Sequence, residues 1–456
     1  MVNEVLAYLR CRSSDDEALK ADGKEVDNSR LFIDGTLGTA GHTIEFLKAH
    51  TANRVLSFDR DAESMRFAWE RLKAENLAHR VALVQSDFRL AAQALDKVRE
   101  VVESQQVKSQ NAKSQNAKSQ NAKSQNAKSQ NAKSQNAKSQ NAGLLSEDVQ
   151  SEGESILENF ENWEAGKVEE EVFAPRVLWV GKEFASRPVT QVSGALIDAG
   201  MSLFQVTWPE RGLSFRADAP LDMRYDRTRG VSAFDLVNEL SQDELEDLFF
   251  KFTDERWARR IAEFITEHRR SQVIHTTSEL AGLIEAAIPA GVRRHMRVHP
   301  ATRVFAALRL AVNDEFWALE EGVWALSAVL ANTARLAVLT YSSHEDRTVK
   351  RTFRRLAGRP LDVEQRRGKR FALSPKQSDS SMRTPLTSHF SIDDFSLQLP
   401  TEVDQNAVPA WAQGFESDWK MKIVTSKPVE PSEAEISKNP LSRSCKLRAI
   451  EKVVLS

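Results

Sequence analysis

The chain has 456 residues, room for two or three domains at about 150 residues each. Apolar residues make up 41% and charged residues 28%, and 63 Lys and Arg against 65 Asp and Glu leave a net charge of −2, which excludes a uniformly basic nucleic-acid coat but allows a local basic face. Two cysteines, Cys11 and Cys445, exclude a disulfide-stapled scaffold and a cysteine-based zinc site, so no metal is expected. No apolar run approaches the ~18 residues of a spanning helix. The longest candidate, Phe316 to Tyr341, is interrupted by Glu320, Glu321 and Arg335. The N-terminus shows no signal-peptide core, and the expectation is a soluble intracellular protein with no membrane partner.

In chain order, Leu31-Phe-Ile-Asp34 reads as a short strand ending in an acid. A glycine-containing turn follows from Gly35 to Gly41, then a helix from His42. Arg54–Asp59 is a second acid-terminated strand, and the helix Ala62–Glu75 sets Met65, Ala68, Trp69 and Leu72 on one face. Val81–Val84 is a third strand leading to Ser86-Asp-Phe88. Gly194–Asp198, Leu336–Thr340 and Met421–Val424 read as a fourth, a fifth and a late strand. Alternating strands and helices predict a doubly wound α/β sheet. Between the fourth and fifth strands the sequence reads as helical over Asp235–Phe252, Asp254–His268, Thr277–Ala287 and Ala301–Leu330, with Pro300 at a helical start. This predicts a helical domain inserted into the sheet domain.

Two stretches interrupt this pattern. Lys-Ser-Gln-Asn-Ala occurs seven times in tandem from Lys108 to Ala142, with no large apolar residue and a period that matches neither helix nor strand. Ser146–Glu171 then carries ten acids against one base. Both read as a disordered insertion, and a second low-complexity stretch runs from about Leu373 to Ala412.

The turn after the first strand lacks both G-x-G-x-x-G and the Gly-Lys-Ser/Thr of a nucleotide triphosphatase. Its glycines still allow close approach of a ligand, and the next helix offers free N–H groups. Asp59, ending the second strand, stands where a carboxylate accepts both hydroxyls of an adenosine ribose, and Phe88 stands where a ring can flank adenine. NAD and S-adenosylmethionine both suit this arrangement.

Longer motifs narrow the choice. Asp34-Gly-Thr-Leu-Gly-Thr-Ala-Gly-His42, Glu210-Arg-Gly-Leu-Ser-Phe215, Ala219-Pro-Leu-Asp-Met-Arg224, Asp254-Glu-Arg-Trp-Ala-Arg-Arg-Ile-Ala262, His299-Pro-Ala-Thr-Arg303, Ala307–Glu315, Glu345-Asp-Arg347 and Asn439–Ser444 resemble, in order, motifs of the MraW/RsmH family of small-subunit ribosomal RNA cytosine-N4 methyltransferases. The resemblance implies a class I methyltransferase: a Rossmann-like sheet that binds S-adenosyl-L-methionine, with an inserted helical domain that helps hold RNA. It implies cofactor contacts from Ala40, Gly41, His42, Asp59, Phe88, Asp198 and Gln205. Asp198, closing the fourth strand, is the expected catalytic acceptor, with Asp222 second. Expected RNA contacts are Arg259, Arg260, His299, Arg303, Arg347 and Lys350, drawn from two segments that are locally basic, residues 254–309 and 343–371.

The chain departs from the family pattern near this site. A run of four glycines before His becomes Gly38-Thr-Ala-Gly-His42, and Asp-Leu-Gly-Val-Ser-Ser becomes Asp198-Ala-Gly-Met-Ser-Leu203. An expected Asp is Thr207, and Ser-Phe-His-Ser-Leu-Glu-Asp-Arg becomes Thr340-Tyr-Ser-Ser-His-Glu-Asp-Arg347. These changes keep a second expectation open: a catalytically weakened or inactive ribosome-assembly RNA-binding protein of the same fold. The expected organisation is a sheet domain formed by 1–107, 176–232, 331–372 and 413–456, a helical domain over 233–330, and insertions over 108–175 and 373–412. The expected partner is small-subunit ribosomal RNA or the small ribosomal subunit, with a homodimer allowed. The expected compartment is a mitochondrial or other organellar matrix if the chain is eukaryotic, and otherwise the cytoplasm.

Overall fold

The computed structural model describes residues 1–12, 30–108, 110, 174–201, 205, 208–228, 230–359 and 418–455. Apart from Lys108 and Gln110, the repeat falls outside these residues, as do the acidic stretch, the low-complexity segment 373–412, Leu203 and Thr207. Eight strands form one sheet: β1 (Leu31–Asp34), β2 (Arg54–Asp59), β3 (Val81–Gln85), β4 (Arg176–Val180), β5 (Val192–Asp198), β6 (Leu330–Thr340), β7 (Trp419–Ile423) and β8 (Lys446–Val454). Their order is β4-β3-β2-β1-β5-β6-β8-β7. Strands β3, β2, β1, β5 and β6 run parallel, while β4 and β8 pair antiparallel with β3 and β6. The order grows outward from β1 in both directions, save that β8 lies inside β7. The reversal lies between β1 and β5, the position at which ligands bind in open α/β sheets.

The parallel strands are buried on both faces, so they read as continuous apolar runs. Leu31, Ile33, Leu56, Phe58, Ala82 and Val84 face one cluster, covered by the helices over residues 91–108, Glu315–Val329 and Ser343–Leu356. Phe32, Val55, Val81, Leu83 and Leu196 face the other, covered by Val2–Tyr8, Gly41–Ala49 and Ala62–Ala74. A third cluster, built from residues between Leu213 and Ala311, is the interior of a helical unit. Each fully buried Leu, Ile or Phe contributes roughly 1.5–3 kcal/mol, so these three clusters dominate stability.

Two strands differ from expectation by being present at all. β4 is a five-residue edge strand, and β8 carries Lys446, Arg448, Glu451 and Lys452. Three of these charges find partners within the fold: Arg448 forms a bidentate pair with Asp346, Glu451 accepts from Arg335 and Arg10, and Lys452 donates to the Ala328 carbonyl.

The helices also differ in their breaks. The run expected over Asp235–Phe252 is two helices, Ala233–Glu239 and Gln242–Thr253, because Ser241 starts the second with a capping box to Glu244. The run expected over Ala301–Leu330 is Ala301–Val312 and Glu315–Val329, broken where Asp314 takes a left-handed conformation at φ 52°. The break divides the packing: the first helix belongs to the helical unit, and Leu319, Val323, Trp324 and Leu326 of the second pack on the sheet. Among the described residues, no helix is long and apolar enough to cross a membrane.

Candidate active site

Three acids close neighbouring parallel strands. Asp34 ends β1, Asp59 ends β2 and Asp198 ends β5. Registers Asp34↔Ser57 and Asp34↔Leu196 put all three at the carboxyl edge of the sheet, beside the reversal point.

Asp34 is buried and structural in its bonding. It accepts from Thr43 Oγ1 at 2.7 Å and from the Thr36 N–H at 3.2 Å, and Thr43 also meets Ser57 at 2.9 Å. Burial pushes its carboxyl above the usual carboxylate range, against the opposing pull of His42 and of these bonds. Thr36 ties the glycine-containing turn to β5, its Oγ1 accepting from the Asp198 N–H at 2.7 Å.

Asp59 is half-buried. Its Oδ2 accepts from the Gly38 N–H at 2.8 Å and its Oδ1 from the Asp61 N–H at 2.9 Å. Burial, reinforced by the like charge of Asp61, pushes Asp59 up to about 7, against those two bonds. Asp61 caps the helix Ala62–Ala74 and receives Gln205 Nε2 at 3.0 Å and Arg211 at 2.7 Å. Gln205 therefore lies beside the β2 end of the site.

Ala40 caps the helix Gly41–Ala49 with φ 63°, a left-handed conformation that costs an L-residue roughly 1–2 kcal/mol. The glycine of the family pattern adopts it freely. Open space lies where a Cβ on Gly41 would stand, so the helix N-terminus is approachable. His42 Nδ1 lies 3.5 Å from Asp198 Oδ2. Phe88 follows β3, and its ring rests on the helix Glu315–Val329, where a Cβ at Gly322 would come within 2.0 Å of the ring.

The two candidate acceptors have different surroundings. Asp198 is 26% exposed and receives the Tyr341 hydroxyl on Oδ1 at 2.8 Å. Asp222 lies in the helical unit, held by Arg224 at 2.7 and 3.0 Å and by Arg227 at 3.3 Å. Hydrogen bonding and charge from Arg224 outweigh burial and hold its carboxyl below the usual range.

Of the residues expected at RNA, Arg259, Arg260, Arg303, Arg347 and Lys350 are exposed on helices. His299 is committed elsewhere: Nε2 pairs with Glu285 at 2.6 Å, Nδ1 accepts from the Ala301 N–H, and the ring stacks on Phe215. His344 meets Asp254 at 3.4 Å, drawing the start of the helix Ser343–Leu356 against the segment that carries Arg256, Arg259 and Arg260. Two basic segments distant in sequence thus meet at this contact. Ser342, where the family pattern has His, instead caps this helix with Glu345.

Sequence reasoning missed Tyr341 and Thr36. Nothing in the spacing of 341 and 198 pairs them; only the register Asp198↔Leu339 between β5 and β6 does.

The chain is similar to several known proteins. It is 30% identical over 454 residues to ribosomal RNA small subunit methyltransferase H of Geotalea uraniireducens, covering 99% of this chain and 97% of that protein. It is 38% identical over 289 residues to the protein of that name from Geobacter sp. strain M21, covering 62% and 78% of the two chains. The same-named protein of Symbiobacterium thermophilum is 41% identical over 260 residues, covering 57% and 68%. The MraW methylase family matches residues 1–132, 153–376 and 394–453, a span that takes in all eight strands and the helical unit, and the chain belongs to that family.

Proposed function

We propose that this methylase uses S-adenosyl-L-methionine to methylate the N4 amine of a cytosine in small-subunit ribosomal RNA. The relatives are named as small-subunit ribosomal RNA methyltransferases. The observation that carries the reading is the set of acids at the carboxyl ends of β1, β2 and β5, where the sheet order reverses.

The residues fit the cofactor. Asp59 offers a half-buried carboxylate to a pair of ribose hydroxyls, and the space before Gly41 admits a polar group at the helix N-terminus. In this reading Ala40, Gly41 and His42 line the loop side, Phe88 the adenine side, and Asp198 and Gln205 complete the enclosure. When bound, S-adenosylmethionine supplies an electrophilic methyl on a sulfonium.

The rest falls to this chain. A cytosine amine is a weak nucleophile, because its lone pair is delocalised into the ring. Asp198 accepts an N–H of that amine, orients it, stabilises the positive charge that develops on nitrogen, and takes the proton that nitrogen gives up once the methyl carbon has left the sulfonium sulfur for it. Asp222 serves this role less well, since two arginines already occupy it. The target base leaves its stack to reach the edge of the sheet. Exposed Arg259, Arg260, Arg303, Arg347 and Lys350 neutralise phosphates around it.

Nucleoside mass spectrometry of undermethylated small subunits, incubated with protein and cofactor, tests the proposal. The expected result is N4-methylcytosine from the parent protein and at least a hundredfold less from Asp198→Ala at unchanged thermal midpoint. Absence of product despite demonstrated cofactor and RNA binding would leave an RNA-binding assembly factor as the function.

A further inference from the structure

Tyr341 stands one residue beyond β6, next to the end of β5. It is 37% exposed, so packing alone gives it little reason to be a large aromatic residue. Its backbone is fixed, because the buried Glu345 carboxylate accepts both the Tyr341 and Ser342 N–H groups at 2.7 and 2.9 Å. Its ring lies over Gly200, whose φ is +139°; a Cβ there would stand 3.3 Å from a ring carbon. The chain is thus held at both ends of the side chain so that the hydroxyl reaches Asp198 Oδ1 at 2.8 Å.

A phenol beside a carboxylate donates its proton. The buried Cys445 thiol also borders the hydroxyl, but sulfur is a weak acceptor and the carboxylate takes the bond. Partial burial and the Asp198 charge raise the Tyr341 pKa above the ordinary phenol range, so the hydroxyl keeps its proton. With Oδ1 committed, Asp198 has Oδ2 left to turn to a substrate. Among the described residues, the imidazole of His42 borders that oxygen, its Nδ1 at 3.5 Å.

The family pattern has Phe-His where this chain has Tyr341-Ser342. Ser342 is spent on its helix cap, its Oγ accepting from the Glu345 N–H at 3.2 Å. We propose that Tyr341 is a positioning residue that fixes the rotation of the Asp198 carboxylate, so that Oδ2 meets the N–H of the amine being methylated; this rests on the reading of Asp198 given above.

The test is single-turnover methyl transfer to undermethylated small subunits by the full chain and its Tyr341→Phe and Tyr341→Ala variants, with calorimetric cofactor titration and thermal melts alongside. Loss of one charge-assisted hydrogen bond in the transition state predicts a transfer rate about ten- to a hundredfold lower in both variants. The KM for subunits, cofactor affinity and the melting midpoint of Tyr341→Phe stay as in the parent, which a merely structural role would not produce. Tyr341→Phe transferring at the parent rate overturns the inference. So does a loss confined to Tyr341→Ala, because the ring and not the hydroxyl would then matter. An inactive parent overturns the proposed function itself, and this inference with it.

Discussion

Asp59, in the proposed cofactor site, illustrates how a single residue can set the pH dependence of binding. Its carboxyl titrates near 7 because burial and Asp61 oppose the charge. A hydroxyl donates more strongly to a carboxylate than to a carboxylic acid, so cofactor binding favours the ionised form and lowers that pKa. Linkage then fixes the sign: affinity rises as pH rises through 7. Between pH 6 and pH 8 the gain is about tenfold, from the change in ionised fraction alone. Calorimetric titration of S-adenosylmethionine across this range is expected to show that slope, and Asp59→Ala is expected to remove Asp59's share of it. The position of Asp59 was legible in the sequence, because a strand-terminal acid needs only local pattern to be found. Its altered titration was not, since that depends on Gly38 and Asp61 meeting it in space. The same holds for Tyr341, a residue with no local signal, and for His299, whose ring nitrogens are committed to Glu285 and Ala301.

At the scale of elements, the break at Asn313 and Asp314 is the most informative difference from the sequence reading. Residues 301–330 are apolar enough to read as one helix, and neither Asn nor Asp forbids it. The break is imposed by tertiary bonds: Asn313 Oδ1 accepts from the Tyr225 N–H at 2.8 Å, and its Nδ2 donates to the carbonyls of Met223 and Arg309. Asn313→Ala leaves a buried N–H and a carbonyl unpaired and is expected to cost about 2–4 kcal/mol, measured by denaturant unfolding. The β8 strand escaped the sequence reading for a related reason. Alternating charge hides strand character unless the partners Asp346, Arg335 and Arg10 are known. By contrast β1, β2, β3 and β5 were legible because a parallel strand buried on both faces is a plain apolar run.

For the whole molecule, the link between the sheet and the start of the second helix runs through Arg89. It pairs with Asp87 at 2.9 Å, Asp314 at 2.9 Å and Glu321 at 3.2 Å, while Arg60 pairs with Asp87 and donates to the Asn313 carbonyl. Burial raises the pKa of Asp314 and Glu321, a sign that the guanidinium only partly offsets their desolvation. Arg89→Ala leaves Asp314 and Glu321 side by side without their guanidinium, while Asp87 keeps Arg60. The expected loss is about 2–4 kcal/mol, below the full cost of a buried pair because Asp314 is 47% exposed. Thermal and denaturant unfolding of the variant at pH 7 measure it. No sequence pattern announces this cluster, since Asp314 and Glu321 lie more than 220 residues from Arg89.

The sheet that holds the acids is also a timetable. Asp198 and Thr36 meet across 162 residues, and the β6 end meets β8 across 106. Closing such long loops precedes any reward from contact, so the sheet assembles late and slowly compared with the helical unit, whose partners are nearer in sequence. Until residues 446–454 arrive, the eleven-residue β6 presents an open hydrogen-bonding edge. A chain still emerging from a ribosome therefore carries, for the time needed to translate those last hundred residues, a strand edge that invites pairing with a stranger.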